Sequence, residues 1–266
     1  MVNIKAAIDY VKKNGDSIER NRLNSMLLEI PPPIEILDIL TNMQNEDGGF
    51  SYFSEGGSTV FDTVYILTWI DDLQLKFEKI VEDAFKFLLS QQQDDGGWDE
   101  MDLEDNNSLL TPGELDTRVF LTAYCAHWFV RFGLSKLENV MKSSLEYLKV
   151  NRSASGLILG DQQATWDSAV LFSHIPGRKS DLFKDILEVI EKMLSPDECK
   201  GSKMAYLLCC LRDAGLDAYH PFVNFCTDAL IHKQRDDGSW ESEYGEDYSV
   251  VATVDALRVL KYYKVI

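Results

Sequence analysis

Acids, histidines and aromatic side chains stand in this chain where proton transfer to an apolar substrate would need them. Asp161, in Gly160-Asp161-Gln162-Gln163, directly precedes one helical run, and Glu114 begins another. Asp102 opens the acidic stretch Asp102-Leu103-Glu104-Asp105 in the long loop 99–112. His127 and His174 fall on apolar helical runs. A carboxyl or imidazole so placed can act as general acid or base once its surroundings tune its pKa. Asp161, Asp102, Glu114 and His127 are therefore the expected catalytic residues. Tyr65, Trp69, Tyr124, Trp128, Trp166 and Tyr206 are the expected substrate-binding residues, since aromatic faces bury apolar chains and stabilise cations. The same residue types also fill ordinary helical interiors, and an acidic loop is often simply solvated.

Other chemistries find no support. Cys209 and Cys210 are adjacent on a helical run, where their side chains diverge and make a poor chelate. There is no C-x-x-C, H-x-x-H, H-E-x-x-H or G-x-x-x-x-G-K, and no D-D-x-x-D for a magnesium-bound diphosphate. No metal and no cofactor are expected.

A repeat positions these residues. Gln44-Asn45-Glu46-Asp47-Gly48-Gly49-Phe50, Gln92-Gln93-Asp94-Asp95-Gly96-Gly97-Trp98 and Gln234-Arg235-Asp236-Asp237-Gly238-Ser239-Trp240 share the pattern Q-x-x-D-G-[GS]-aromatic. Asp-Gly suits a chain reversal, because glycine accepts positive φ and Asp bonds its own local backbone. The Gln is expected to lie over the aromatic ring and pin the turn to the helix before it. Downstream come Phe61-Asp62-Thr63, Leu115-Asp116-Thr117, Trp166-Asp167-Ser168 and Val254-Asp255-Ala256. They suggest an Asp at each helix start, capping free N–H groups. Around Ser153-Ala154-Ser155-Gly156-Leu157 only the glycine of the repeat remains.

Apolar periodicity places outer helices near 3–13, 34–44, 76–92, 135–150, 180–195 and 218–234. Phe77 opens the apolar stripe of the third. Inner helices fall near 17–29, 58–72, 113–132, 162–174, 201–214 and 247–263, and the one at 113–132 is apolar nearly all round. That makes six helical hairpins.

Q-x-x-D-G-G-W followed by a W-D-T-type helix start resembles the repeat of squalene and oxidosqualene cyclases, and is similar to protein prenyltransferase β subunits. The resemblance covers residues 34–132 and 218–263 strongly and the middle weakly. It implies an all-α fold, a single (α/α)6 barrel or toroid over residues 1–266, with an axial cavity for an isoprenoid or similar apolar small molecule. It further implies general-acid carbocation chemistry. Cyclases of that family carry the acid in D-x-D-D; here Thr59-Val60-Phe61-Asp62, Gly113-Glu114-Leu115-Asp116, Ala164-Thr165-Trp166-Asp167 and Ala252-Thr253-Val254-Asp255 keep only the last Asp. The alternative is a non-catalytic toroid that binds an apolar ligand, a protein partner or a second domain in trans. A prenyltransferase-like subunit would need zinc, and its ligand motifs are missing.

With 26 Lys plus Arg against 44 Asp plus Glu, the formal charge is −18. No nucleic acid is expected as partner, because phosphates need a basic face. Five cysteines, an odd number with no framework spacing, point to a reducing cytoplasm. The first residues carry no signal-peptide core, and no stretch suffices for a transmembrane helix.

Overall fold

The structure is a computed structural model; it describes residues 1–76, 78–102, 110–134 and 137–266. Phe77, the Leu103-Glu104-Asp105 part of the acidic stretch and residues 135–136 lie outside the described residues. Among those described there are twelve α-helices and no strands. They are α1 (Ile4–Asn14), α2 (Ser17–Leu28), α3 (Ile34–Met43), α4 (Val60–Asp72), α5 (Lys79–Ser90) and α6 (Leu115–Arg131). The rest are α7 (Glu138–Val150), α8 (Gln162–Phe172), α9 (Asp181–Met193), α10 (Gly201–Asp213), α11 (Pro221–His232) and α12 (Ser249–Tyr262). Every expected helix is present, with ends trimmed by up to three residues.

The chain forms two compact units. Unit 1 comprises Met1–Ile36, Asp72–Gln74 and Met193–Ile266; unit 2 comprises Leu37–Asp71 and Leu75–Lys192. In unit 1, α12 packs against α1, α2 and α10, and α10 also packs on α11. In unit 2, α6 packs against α7 and α8. The even-numbered helices from α4 on are buried over most of their length, whereas α2 buries only Ile18, Arg22, Leu23 and Ser25. Leu121 through Val130 of α6 and Ala164 through Phe172 of α8 are all buried. The odd-numbered helices bury one stripe, as α9 does with Phe183, Ile186 and Ile190.

The repeat turns share one construction. In each, the glycine after the Asp takes a φ of about +90°: 89° at Gly48, 88° at Gly96 and 90° at Gly238. The Asp accepts from the backbone N–H two residues on, Asp47 from Gly49 at 2.9 Å, Asp95 from Gly97 at 3.1 Å and Asp237 from Ser239 at 3.0 Å. The next outer helix rests on the glycine. A Cβ would lie 2.4 Å from the Asp83 carbonyl oxygen at Gly48, 2.5 Å from the Ser143 carbonyl carbon at Gly96 and 2.3 Å from the Ala6 carbonyl carbon at Gly238.

The Gln, at the end of the helix before the turn, fastens that turn and reaches further than expected. Its Nε2 donates to the turn glycine's own carbonyl and to the following outer helix or the residue just before it. Gln44 reaches Gly48 O (2.8 Å) and Ile80 O (2.9 Å). Gln92 reaches Gly96 O (3.0 Å) and Val140 O (3.2 Å). Gln234 reaches Gly238 O (3.0 Å) and Asn3 O (3.1 Å). The preceding helix is held by the indole: Trp98 Nε1 donates to Leu88 O and Trp240 Nε1 to Leu230 O, both at 2.7 Å.

A threonine then joins each turn to its inner helix. The backbone N–H of Phe50, Trp98, Ile158 and Trp240 donates to Oγ1 of Thr63, Thr122, Thr165 and Thr253, at 2.9, 2.9, 3.2 and 3.1 Å. Ile158 thus closes a further repeat turn, whose Arg152 replaces the Gln and donates from Nε to Gly156 O at 2.9 Å.

Gly96→Ala combines positive φ with a backbone clash, and is expected to cost about 3 kcal/mol or more. Gly113, with φ 78° but open space around it, is the control: Gly113→Ala should cost about 1 kcal/mol, the backbone term alone. Urea unfolding of both variants measures the difference, and equal costs would remove the packing contribution.

Candidate functional site

The threonine register changes what the four repeated Asp residues are. Asp62 precedes its threonine by one residue and Asp116 by six, whereas Asp167 and Asp255 follow theirs by two. They are not equivalent, and none is seen capping its own helix. Val60 N and Phe61 N at the start of α4 donate to Glu100 Oε1 (2.8 Å) and Oε2 (3.2 Å). Asp62 is fully buried and its Oδ2 accepts from the N–H groups of Tyr52 (2.9 Å), Phe53 (3.3 Å) and Ser54 (3.2 Å). Asp116 is exposed in the first turn of α6, a helix without a side-chain cap. Asp167 lies inside α8, and Asp255 inside α12 accepts from Arg22 (3.2 Å) and Arg258 (3.0 Å) in unit 1.

The expected catalytic residues do not converge. Asp161 is the N-cap of α8, its Oδ1 accepting from Ala164 N at 2.8 Å, which accounts for its place before that helix. Asp102 and Glu114 are exposed. His127, in contrast, is 1% exposed, with Nδ1 2.7 Å from Asp167 Oδ1. A carboxylate only accepts, so Nδ1 carries the proton and the pair joins α6 to α8. His174 is exposed at the end of its helical run.

Three of the expected substrate-binding residues meet in unit 2. Tyr65 and Trp69 of α4 and Tyr124 of α6 belong to a continuous run of rings with Phe61, Phe120 and two loop residues, Tyr52 and Phe53. Centroid separations include 5.6 Å for Tyr65–Trp69, 6.3 Å for Phe61–Tyr65, 6.2 Å for Phe61–Tyr124 and 5.5 Å for Phe120–Tyr124. Tyr52 lies 4.9 Å from Trp69, edge to face, and Phe53 5.0 Å from Tyr65. These are ordinary separations for favourable aromatic pairs. The run is partly open: Tyr52 is 46% exposed, and Phe53, Phe61, Tyr65 and Phe120 are half-buried. The indole Nε1 of Trp69 is buried without a hydrogen-bond partner.

Trp128 stacks on His127 and contacts Phe132, Trp166 is 1% exposed in the core, and Tyr206 belongs to unit 1. Tyr52, Phe53 and Glu100 were missed. The sequence holds a signal for them: they follow the repeat's aromatic residue by two or three positions, where the copies differ from one another.

Glu100 is the carboxyl adjoining this aromatic run, through its bond to the Phe61 amide. It is 5% exposed, and burial pushes its pKa above the ordinary carboxylate range. Donation from the amides of Met101, Val60 and Phe61 opposes the rise, and negative charge on Asp62 adds to it.

A family model, the A-macroglobulin TED domain, matches residues 36–170. The chain belongs to this family. The repeat turns of unit 2, helices α4–α7 and all but the last two residues of α8 fall within the matched part. Among solved structures, this TED-domain chain is similar to the type II terpene cyclase MstE from Scytonema in its apo form, with 14% identity and a TM-score of 0.67 over 98% of this chain and 97% of that one. An MstE variant in complex with geranylgeranyl dihydroxybenzoate, its substrate, gives 13% identity and a TM-score of 0.63 over 97% and 95%. A protein from Actinoplanes gives 15% and 0.68 over 98% of each chain. No curated protein sequence matches. The likeness shows the fold: the TED-domain chain has the terpene cyclase α/α toroid fold. No described helix is long and apolar enough to cross a membrane, and all five cysteines are buried.

The raised pKa of Glu100 fixes the sign of a pH effect. Its contribution to stability is fully present below the ordinary value of 4.5 and is lost as pH rises through the folded pKa. A Glu100→Gln variant cannot titrate there. Its stability relative to wild type is expected to rise between pH 4 and pH 7, read from urea midpoints at each pH. A falling difference would mean that the three amides outweigh burial.

Proposed function

We propose that this protein is a terpene cyclase-like enzyme that binds an isoprenoid or similar apolar chain against the aromatic run of unit 2 and protonates it. The carrying observation is the half-open line of seven rings beside Glu100, a carboxyl whose burial favours its proton. Transfer of that proton to an alkene forms a C–H bond at one carbon and leaves a tertiary cation at the other. The faces of Phe61, Tyr65 and Tyr124 stabilise the cation. Loss of a proton from the rearranged cation returns it to a base, so the net reaction is an isomerisation and needs no redox cofactor. His127, held by Asp167, is the candidate acid–base partner one turn along α6 from Tyr124. Asp161, Asp102 and Glu114 take lower places, the first because it caps a helix and the others because water reaches them. Five buried cysteines, an odd number without framework spacing, suit a reducing cytoplasm.

A second reading, a toroid that binds an apolar ligand or a protein partner without chemistry, is favoured by one observation. Glu100 and Asp62 both spend their oxygens on backbone N–H groups. Incubation with squalene and with geranylgeranyl dihydroxybenzoate, followed by chromatographic separation of the extracts from their unreacted substrates with mass detection, separates the two. The enzyme reading expects a cyclised isomer, reduced about a hundredfold or more in Glu100→Gln with binding retained. Binding without product in the wild type would establish the second reading instead.

A further inference from the structure

The loop that carries Tyr52 and Phe53 has a fixed base and an internal tether. Phe50 and Thr59 pair as an antiparallel bridge, with Thr59 N donating to Phe50 O at 3.0 Å. Below it, Ser58 Oγ donates to Asp47 Oδ1 at 2.7 Å and accepts from Asn45 Nδ2 at 2.9 Å. Between these anchors Asp62 Oδ2 accepts the backbone amides of residues 52, 53 and 54. On the far side stand two glycines with positive φ, 95° at Gly56 and 156° at Gly57, and a side chain added at Gly56 would meet nothing within 4 Å. That segment is exposed or half-exposed and unconfined, as a hinge requires.

Asp62 is free for this work because the first turn of α4 does not use it. Glu100 takes the amides of Val60 and Phe61, and Thr59 Oγ1 accepts from the amide of Asp62 itself at 3.0 Å. The other oxygen of Asp62, Oδ1, is buried without a partner. The carboxylate is thus spent on the loop alone, and the loop lays Tyr52 on Trp69 and Tyr65, and Phe53 on Tyr65 and Phe61. An apolar chain seated on α4 and α6 would meet those two rings first.

We propose that residues 51–57 form a lid over the aromatic surface of α4 and α6, that Asp62 is its latch, and that an apolar ligand enters by displacing Tyr52 and Phe53. This rests on the binding site proposed above but not on its chemistry. Asp62 is a positioning residue: it touches the lid, not the ligand.

Hydrogen exchange and stopped-flow binding of farnesol test the lid on three proteins: wild type, Asp62→Asn and Tyr52→Ala. In Asp62→Asn the amides of residues 52–54 lose a charged acceptor and should exchange about tenfold faster or more, while α4 and α6 stay protected. Tyr52→Ala removes the plugging ring and leaves the latch intact. Farnesol should associate about tenfold faster with both variants than with wild type, an effect of access and not of new contacts. Unchanged exchange at residues 52–54 in Asp62→Asn would overturn the latch, and so would faster exchange spread through α4 and α6. Equal association rates in all three proteins would overturn the lid while leaving the site. Farnesol bound by none of them would overturn the site itself, and the lid with it.

Discussion

The approach of one helix backbone onto one glycine governs the rest of this structure. At Gly48, Gly96 and Gly238 the following outer helix or its leading residue lies within 2.5 Å of where a Cβ would stand, and the atoms it would strike are backbone. Nothing larger fits, and the positive φ that turns the chain back is available to glycine without penalty. Closing that gap brings the Gln amide within reach of the helix now resting on the turn. One side chain then ties three segments: the end of its own hairpin, the glycine carbonyl and the next hairpin. The copy at Gly156 shows what happens when the constraint loosens. There the nearest atom is a methyl of Val189 at 2.9 Å, which can move, and the Gln has become Arg152. The bond to the glycine carbonyl survives because the guanidinium Nε reaches the same place.

The turns have a second partner in the inner helices, and it sets the register of everything that faces inward. A threonine hydroxyl accepts from the amide after the turn and donates to the carbonyl four residues back. This is seen at Thr63, Thr122 and Thr253 with bonds of 2.7, 2.6 and 2.6 Å. Counting two residues on from each threonine gives Tyr65, Tyr124, Asp167 and Asp255. The same position in the repeat is an aromatic ring on α4 and α6, and an acid on α8 and α12. In unit 2 the two tyrosines join the aromatic run, while Asp167 is matched to His127. Repetition fixes where the side chain stands, and the individual helix decides its chemistry.

Much of this was legible in the residues. Helix number, type and order followed from apolar period and the repeat, because inner helices such as α6 and α8 are buried along most of their length and outer ones such as α9 on one stripe. The turns followed from Asp-Gly, whose geometry is local. What depended on distant partners was not legible. The small-Asp-Thr pattern lined up four acids that the threonine register places differently, since two-letter similarity within an amphipathic helix does not fix a phase. Asp161 was singled out because it is unique among the repeats and precedes a helix, but a cap needs nothing more than that position. Glu100 escaped notice because its partners, the amides of Val60 and Phe61, lie 40 and 39 residues away.

That distant cap has a consequence for how the acids of unit 2 divide their work. A helix start offers amides with no partner within the helix, and the nearest acid usually takes them. Asp62 sits in the first turn of α4, so it would be the ordinary choice for keeping the loop and helix together. Once Glu100 arrives from the neighbouring repeat and Thr59 supplies a hydroxyl, those amides are satisfied without it. Asp62 can then turn to the loop, and Glu100 is drawn into a dry place it would not otherwise occupy. Both carboxyls end up buried within a few residues of Phe61, one gathering amides from a loop and the other from a helix. Their mutual repulsion then adds to the burial that favours the proton on Glu100. A buried carboxyl with a raised pKa beside aromatic rings thus follows from which repeat supplies the cap, without any residue having to be placed there against the demands of the fold.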